Sequence, residues 1–466
     1  MQEVNRSNVP FHPRFWLAGA DARPLALLRI GLGLLVMADL LDRLRDFHAF
    51  YTALGVVPQP ATFTQSLTRW SLLALPGGPT VTLAVFLVGF PLALALTLGY
   101  RTRLANVLLW LFMVSLFHRN PHVVAGGDAV MTALLFWSMF ADTGAQLSLD
   151  VRLRRRSPAT LVPGYPLRFL QLQIAFIYLV SALAKTGPGW RDGTAILNAL
   201  QVSDWDRGLA PLLLAHPTVC TALTFATLAI ESLFPLLVFS PWQSRRCRIA
   251  ALAGGAALHA GIFLTMRVGL FSEIMLLSYL AFWPGADGRE PMPVLSRRER
   301  RLAAAMAAQL ALIVAGQITS AARRPLPLPL IAELQILGLG QDWRMFSPDT
   351  PRIEVRWRAT GHLEDGHTVD VIPMVAPRLG EQRSFFYSRW HRLRNGLVNQ
   401  PPDLVAAVGR YICRRWNGER APPVLLRFEL HADVKALPGS TGSDGEPLPP
   451  TEVRLRQDCQ AGGSQR

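Results

Sequence analysis

Lysine is almost absent from this sequence. Of 47 basic residues, only Lys185 and Lys435 are lysines; all the others are arginine. Charge of any kind is scarce, at 17% of residues against about 25% in ordinary soluble domains, while hydrophobic residues reach 50%. That balance argues against an ordinary soluble globular domain. The four cysteines, Cys220, Cys247, Cys413 and Cys459, include no CxxC pair and no metal-ligand spacing. Cys220 and Cys247 read as small apolar fillers near membrane segments. Cys413 and Cys459 can pair only if both lie outside the cytosol, which the sequence leaves open. The first apolar run starts near Arg23 and lacks a small-residue cleavage site, so it reads as a retained helix rather than a signal peptide.

What is present is a series of long apolar runs. Nine are candidate membrane spans: 24–42, 79–99, 104–118, 124–142, 167–186, 217–240, 248–266, 269–284 and 302–320. Most approach the ~20 residues a bilayer requires; the third is short and is expected to lean on its neighbours. The net charge of +15 does not point to nucleic acid, because the arginines sit in short clusters between these runs, as in "RLRRR" at 152–156 and "RRERR" at 297–301. With the N-terminus inside, the inner segments hold 18 basic residues against 7 in the outer ones, and this bias favours N-in, C-out. The outer loops 45–78 and 187–216 are rich in Trp, Phe, Leu and Pro and are expected to fold back over the bundle.

The expected fold is therefore an α-helical polytopic membrane protein of about nine helices with a small C-terminal α+β extracytoplasmic domain. Residues 1–23 form a cytoplasmic segment, 24–322 the membrane domain, 323–436 the outer domain, and 437–466 a polar, Pro- and Gly-rich tail expected to be disordered. "RRPLPLPL" at 323–330 reads as a stiff linker. Asp365-Gly366 between two β-like runs signals a hairpin. "PDLVAAVGRYICRRWN" reads as an amphipathic helix and "VLLRFELHADV" as a strand.

Polar side chains inside a span need a partner or a task. On the fifth run, Gln171, Tyr178 and Lys185 are spaced seven apart with Ser181 close to the same line. Seven residues drift by only about 20° around a helix, so these form a polar stripe leading to Lys185. Glu231 sits mid-run on the sixth, preceded by Thr227 and Thr224. His259 is the titratable group of "AALAGGAALHAGIFL", and Asp39 with Arg43 forms a local i,i+4 pair. The bland alternatives are a snorkelling Lys185, a structural Glu231 and a satisfied core His259. Against the first stands the arginine background: arginine snorkels equally well but does not give up its proton, whereas lysine can.

Seven stretches in order resemble the HTTM superfamily, the membrane domain shared with vitamin K-dependent γ-glutamyl carboxylases. They are "RIGLGLLVMADL" (29–40), "LGYRTRLANVLLWLF" (98–112), "HRNPHVVAGGDAVMTALLFWSMFADTG" (118–144), "QIAFIYLVSALAKTGPGWRDG" (173–193), "LAIESLFPLLVF" (228–239), "LHAGIFLTMRVGLFSEIM" (258–275) and "LGLGQDWRMFSP" (337–348). The likeness to bacterial members implies a multi-pass protein of the bacterial inner membrane. Lys185, five before Trp190, matches the segment that carries the carboxylases' catalytic lysine.

The resemblance implies a carbon–carbon lyase that oxidises a reduced menaquinone- or vitamin K-type hydroquinone. The lysine deprotonates the hydroquinone, O2 converts it to a strongly basic epoxide alkoxide, that base takes a γ-proton from a peptide glutamate, and CO2 adds. On this reading Lys185, His259 and Glu231 are catalytic and Gln171, Tyr178, Ser181 and Trp190 bind the quinol, with a peptide or protein substrate on the outer face and no metal. The chain departs from the carboxylases in having Ala184 where they carry a second lysine, Glu231 where they carry Asp, and a much reduced C-terminal portion. The other reading is a non-enzymatic protein of the same fold that binds a lipid, hydrophobic ligand or partner.

Overall fold

The computed structural model describes residues 10–57, 68–283, 287–291, 295–375, 389–397, 402–419, 423–437 and 452–459. Each of the nine apolar runs forms a helix: α1 Ala22–Arg45, α2 Gly78–Leu98, α3 Thr102–Arg119, α4 Gly126–Ser138, α5 Tyr165–Ala184, α6 Pro217–Val238, α7 Ser244–Thr265, α8 Phe271–Ser278 and α9 Arg297–Ala321. Six of them, α1, α2, α5, α6, α7 and α9, are long and apolar enough to cross a membrane. The other three fall short of the nine expected. α4 and α8 are shorter than a bilayer's hydrocarbon core is thick, and α3 carries an arginine or histidine at both ends.

Local chemistry fixes the helix ends. Ser296 and Glu299 form a reciprocal cap at α9, with Glu299 N–H donating to Ser296 Oγ at 3.2 Å and Ser296 N–H to the Glu299 carboxylate at 2.8 Å. Asp128, in the first turn of α4, reaches back to the Ala125 amide at 2.8 Å. α1 packs against the second half of α2 through Gly33, where a Cβ would lie 2.1 Å from Thr97 Oγ1. α5 lies between α4 and α6, with Trp137 stacked on Phe169 at 5.6 Å.

Buried arginines hold the loops at both ends. Arg29 donates to the carbonyls of Thr143 at 3.0 Å and Leu147 at 2.5 Å. Arg119 donates to Tyr51, Thr52 and Val57 carbonyls between 2.6 and 3.1 Å. A planar fork of five N–H donors serves several carbonyls at once, which an ammonium group on a single stem does less well. The arginine bias of the sequence has a structural use.

A small sheet with order β2-β1-β3 gathers Leu161–Pro163 (β2), Ala18–Asp21 (β1) and Asp287–Pro291 (β3) at the arginine-rich end. Part of the segment 1–23 is thus built into the fold.

The Pro-rich run at 323–330 is only half a linker. From Leu328 it becomes α10, Leu328–Ile336, because a proline in the first helical turn loses no hydrogen bond. Beyond it stand α11 Arg389–Leu397, α12 Pro402–Glu419 and an antiparallel sheet of order β5-β4-β6-β7: β4 Ile353–Leu363, β5 Thr368–Asp370, β6 Leu425–Ala436 and β7 Glu452–Asp458. The β4–β5 hairpin turns at Asp365-Gly366, with Gly366 at φ +83°. The expectation of a disordered tail at 437–466 is corrected at residues 452–459. β7 pairs with β6, and Cys459 forms a disulfide with Cys413 of α12. A polar, weakly patterned segment becomes a strand by borrowing the backbone hydrogen bonds of an existing edge. Residues 438–451 and 460–466 lie outside the described residues.

Candidate functional site

The last turn of α5 puts Lys185 at its C-terminal cap, where the chain breaks at Thr186-Gly187-Pro188. The Lys185 side chain is 3% exposed. Its Nζ donates to both Glu231 carboxylate oxygens, at 2.7 and 3.0 Å, to Ser181 Oγ at 2.5 Å and to the Ser181 carbonyl at 3.3 Å. The Trp190 ring faces the amine at 5.2 Å, a cation–π contact. Glu231 comes from α6, where Pro235 stands four residues further on. Proline has no N–H, so the Glu231 carbonyl lacks its intrahelical donor and the helix is loosened beside the carboxylate.

Two turns below Lys185, Tyr178 Oη is hydrogen-bonded to His259 Nε2 of α7 at 2.8 Å and to the Tyr279 hydroxyl. Tyr178 is stacked on Phe234 of α6, ring centroids 4.1 Å apart. Gly255 makes room for the pair of hydroxyls: a Cβ there would sit 2.2 Å from Tyr279 Oη. His259 Nδ1 is buried with no hydrogen-bond partner among the described residues.

The segment 341–350 forms the wall above the site. Pro348 carbonyl accepts from Gly187 N–H at 2.7 Å, the Phe346 carbonyl from Trp190 Nε1 at 2.8 Å, and the Asp349 carboxylate from Gly189 N–H at 3.2 Å. The loop 187–216 folds back over the first part of α6, as its composition suggests, through Ala195–Gln201 and neighbouring short helices.

Six of the seven residues singled out from sequence fall into two adjoining groups. Lys185, Glu231, Ser181 and Trp190 form one; Tyr178 and His259 form the other. Gln171 does not belong to either. It accepts from Arg168 at 3.0 Å and donates to the Ala281 carbonyl at 2.7 Å, near the opposite end of α5. Fourteen residues of helix separate it from Lys185 by about 21 Å, so a shared stripe did not mean a shared site. Sequence reading missed Tyr279, Phe346 and Asp349. The only hint was that Phe346 lies within the "LGLGQDWRMFSP" stretch and Asp349 directly follows it.

A second buried polar cluster joins the C-terminal region to the bundle. Asp39 and Arg43 pair at 2.6 Å as their spacing suggests. Arg43 also donates to Tyr51 Oη at 2.5 Å and Asp128 at 2.7 Å, and Arg389 bonds Asp39 and Asp128.

The family model for the HTTM domain matches residues 18–285, more than half of the chain. No curated protein and no solved structure matches it.

Proposed function

This chain belongs to the HTTM family, and from that premise we propose that it is a membrane enzyme in which Lys185 and Glu231 take a proton from a quinol-type substrate. The observation that carries the reading is the Lys185–Glu231 contact, a buried amine–carboxylate couple between two different helices. A proton can lie on either partner without changing the net charge of the site.

The residues present fit a quinol in two respects. The couple offers a base beside an aromatic wall, Trp190, and His259 Nδ1 is a buried polar atom with no hydrogen-bond partner among the described residues. When bound, a reduced menaquinone- or vitamin K-type quinol supplies an acidic O–H and reducing power. With the shared proton on Glu231, Lys185 Nζ would be free to accept one from the substrate O–H, and Ser181 would hold the amine in place. Tyr178 and Tyr279 keep His259 oriented through Nε2, which leaves Nδ1 to meet a substrate oxygen. A peptide or protein substrate would approach from the side of the C-terminal domain.

The topology that accompanies this reading has nine crossings in a bacterial inner membrane, with the N-terminus inside and the C-terminal domain outside. Two parity arguments support it. β2 and β3 share a sheet with β1, so the chain crosses an even number of times between them. The long apolar helices α5, α6 and α7 lie between, and α8 with its extension to Phe282 is needed as the fourth crossing. Likewise Gly187 bonds Pro348, with α6, α7 and α9 between, and again α8 makes the number even.

One observation favours a second reading. The Lys185 amine has four hydrogen-bond contacts with Ser181 and Glu231 oxygens, enough to engage all three of its N–H donors, as in a structural ion pair. On that reading the chain is a non-enzymatic HTTM protein that binds a lipid, hydrophobic ligand or partner.

The deciding experiment follows oxidation of menaquinol by the purified protein in detergent, together with mass spectrometry of co-purifying lipids. The enzyme reading expects a bound quinone and measurable turnover, with Lys185→Arg lowering the rate by about 10²-fold or more. Turnover that survives Lys185→Arg removes the base role. No turnover and no quinone leave the non-enzymatic reading standing.

A further inference from the structure

At the end of the bundle opposite Lys185, the start of α3, the end of α4 and the loop 141–156 enclose a cleft of about 650 Å³. A neighbouring cavity of about 470 Å³ shares Arg103 and Asp142 with it and reaches Tyr165 at the start of α5. We propose that this cleft binds the phosphate oxyanion of an anionic membrane lipid.

Four guanidinium groups line it, Arg101, Arg103, Arg155 and Arg156, against two carboxylates, Asp142 and Asp150. Both carboxylates are already engaged. Asp150 accepts the Arg101 amide, the Thr102 amide and the Thr102 hydroxyl, each at 2.8 Å. Burial pushes the Asp150 carboxyl up, but the bonds from Thr102 and Arg101 outweigh it and hold it below the usual carboxylate range. Asp142 takes both terminal nitrogens of Arg156, at 2.5 and 2.7 Å. The lining therefore keeps an excess of two positive charges.

Asp142 engages Arg156, but two of the arginines are positioned without being paired to a carboxylate. Arg103 makes no hydrogen bond or ion pair with any described residue. Arg155 is laid over the Tyr100 ring with its Cζ 4.5 Å from the centroid and donates to the Tyr100 hydroxyl at 3.5 Å. At the floor, Asn106 is 1% exposed and donates to Ser138 Oγ at 3.0 Å, while its Oδ1 has no partner among the described residues. That leaves an acceptor within the basic cleft for a hydroxyl next to the phosphate, as in a glycerol headgroup.

A lipid fits better than free phosphate because of what adjoins the cleft. Leu104 lines it and Leu108 follows one turn along α3, and the two are 48% and 40% exposed. They give an acyl chain an apolar track leading from the arginines into the bilayer. Basic pockets between helix ends at the membrane surface are the usual setting for anionic headgroups.

The test is thermal unfolding of the purified protein in non-ionic detergent, titrated separately with phosphatidylglycerol, phosphatidylcholine and inorganic phosphate. Phosphatidylglycerol is expected to raise the melting temperature saturably, and the other two are not. Arg103→Gln should leave the lipid-free melting temperature unchanged and weaken phosphatidylglycerol binding about fivefold. Arg103→Gln with Arg155→Gln should weaken it about 25-fold. Arg245→Gln, outside the cleft, should change nothing. Equal shifts with phosphatidylcholine, or unaltered titration of the Arg103 variant, overturn the site. A shift from inorganic phosphate matching that from phosphatidylglycerol overturns the lipid as its ligand.

Discussion

Arg389 places two guanidinium nitrogens on the Asp128 carboxylate, at 2.9 and 3.3 Å, across 261 positions of sequence. Asp128 is at the same time the cap of α4 and a partner of Arg43, and Asp39 is held by both arginines. Two guanidinium groups thus face two carboxylates in a buried cluster.

Removing one cation from that cluster leaves a buried carboxylate uncompensated. Arg389→Met should cost about 3–5 kcal/mol and expose the C-terminal region to limited proteolysis before the bundle melts. Proteolysis unchanged from wild type would show that the latch carries no weight.

The Lys185–Glu231 couple obeys the same rule. Glu231→Gln should destabilise the protein by about 3–5 kcal/mol, while the double change Lys185→Met with Glu231→Met should recover much of that loss. A double-mutant cycle from thermal unfolding in detergent measures the coupling. Additive effects would mean the two charges do not depend on each other.

Gly255 is expected to be intolerant of a side chain. Gly255→Ala drives a Cβ against Tyr279 Oη, which stands 2.2 Å from that position, and should cost about 1–3 kcal/mol. Tyr279→Phe in the same chain removes the clashing oxygen and should restore part of the stability. A double variant no more stable than Gly255→Ala would contradict the packing described.

The disulfide between Cys413 and Cys459 ties α12 to the residue after β7. Peptide mapping without reduction should find the two cysteines linked, and Cys459→Ser should lower stability by about 2–4 kcal/mol. After mild reduction of intact cells, a membrane-impermeant maleimide should label Cys413 if the domain lies outside. Labelling only after lysis would reverse the orientation.

Acid should act on the start of α3. The Asp150 carboxyl lies below its ordinary value when folded, so its contribution is fully present above the unfolded value of about 4 and is lost as pH falls through the folded one. Asp150→Asn should be less stable than wild type at neutral pH, by about 1 kcal/mol on the scale of a lost helix cap. The difference should shrink below pH ~4. A gap independent of pH would refute it.

The nine helices were legible because an apolar run is a property of consecutive residues. The run at 248–266 became Ser244–Thr265, and 217–240 became Pro217–Val238. Lys185 was legible for a different reason: in a chain that uses arginine for nearly every cation, a lysine at the end of a polar stripe stands out. Its partnership with Glu231 was not legible, because 46 residues and two helix orientations intervene. The stripe also misled. It joined Gln171 to Lys185 by angle around the helix and said nothing of the distance along it.

The sequence by itself determined where the helices run, that the chain is rich in membrane-length segments, and which polar side chains are costly enough to need a partner. These depend on composition and on a periodicity of 3.6 residues. Only the tertiary structure decided which partner each one takes. It set Lys185 against Glu231 and Tyr178 against His259, brought Arg389 between Asp39 and Asp128, and turned residues 452–458 into an edge strand. Pairing of buried charge and of sheet edges is settled by which elements meet, and no local stretch of chain contains that information.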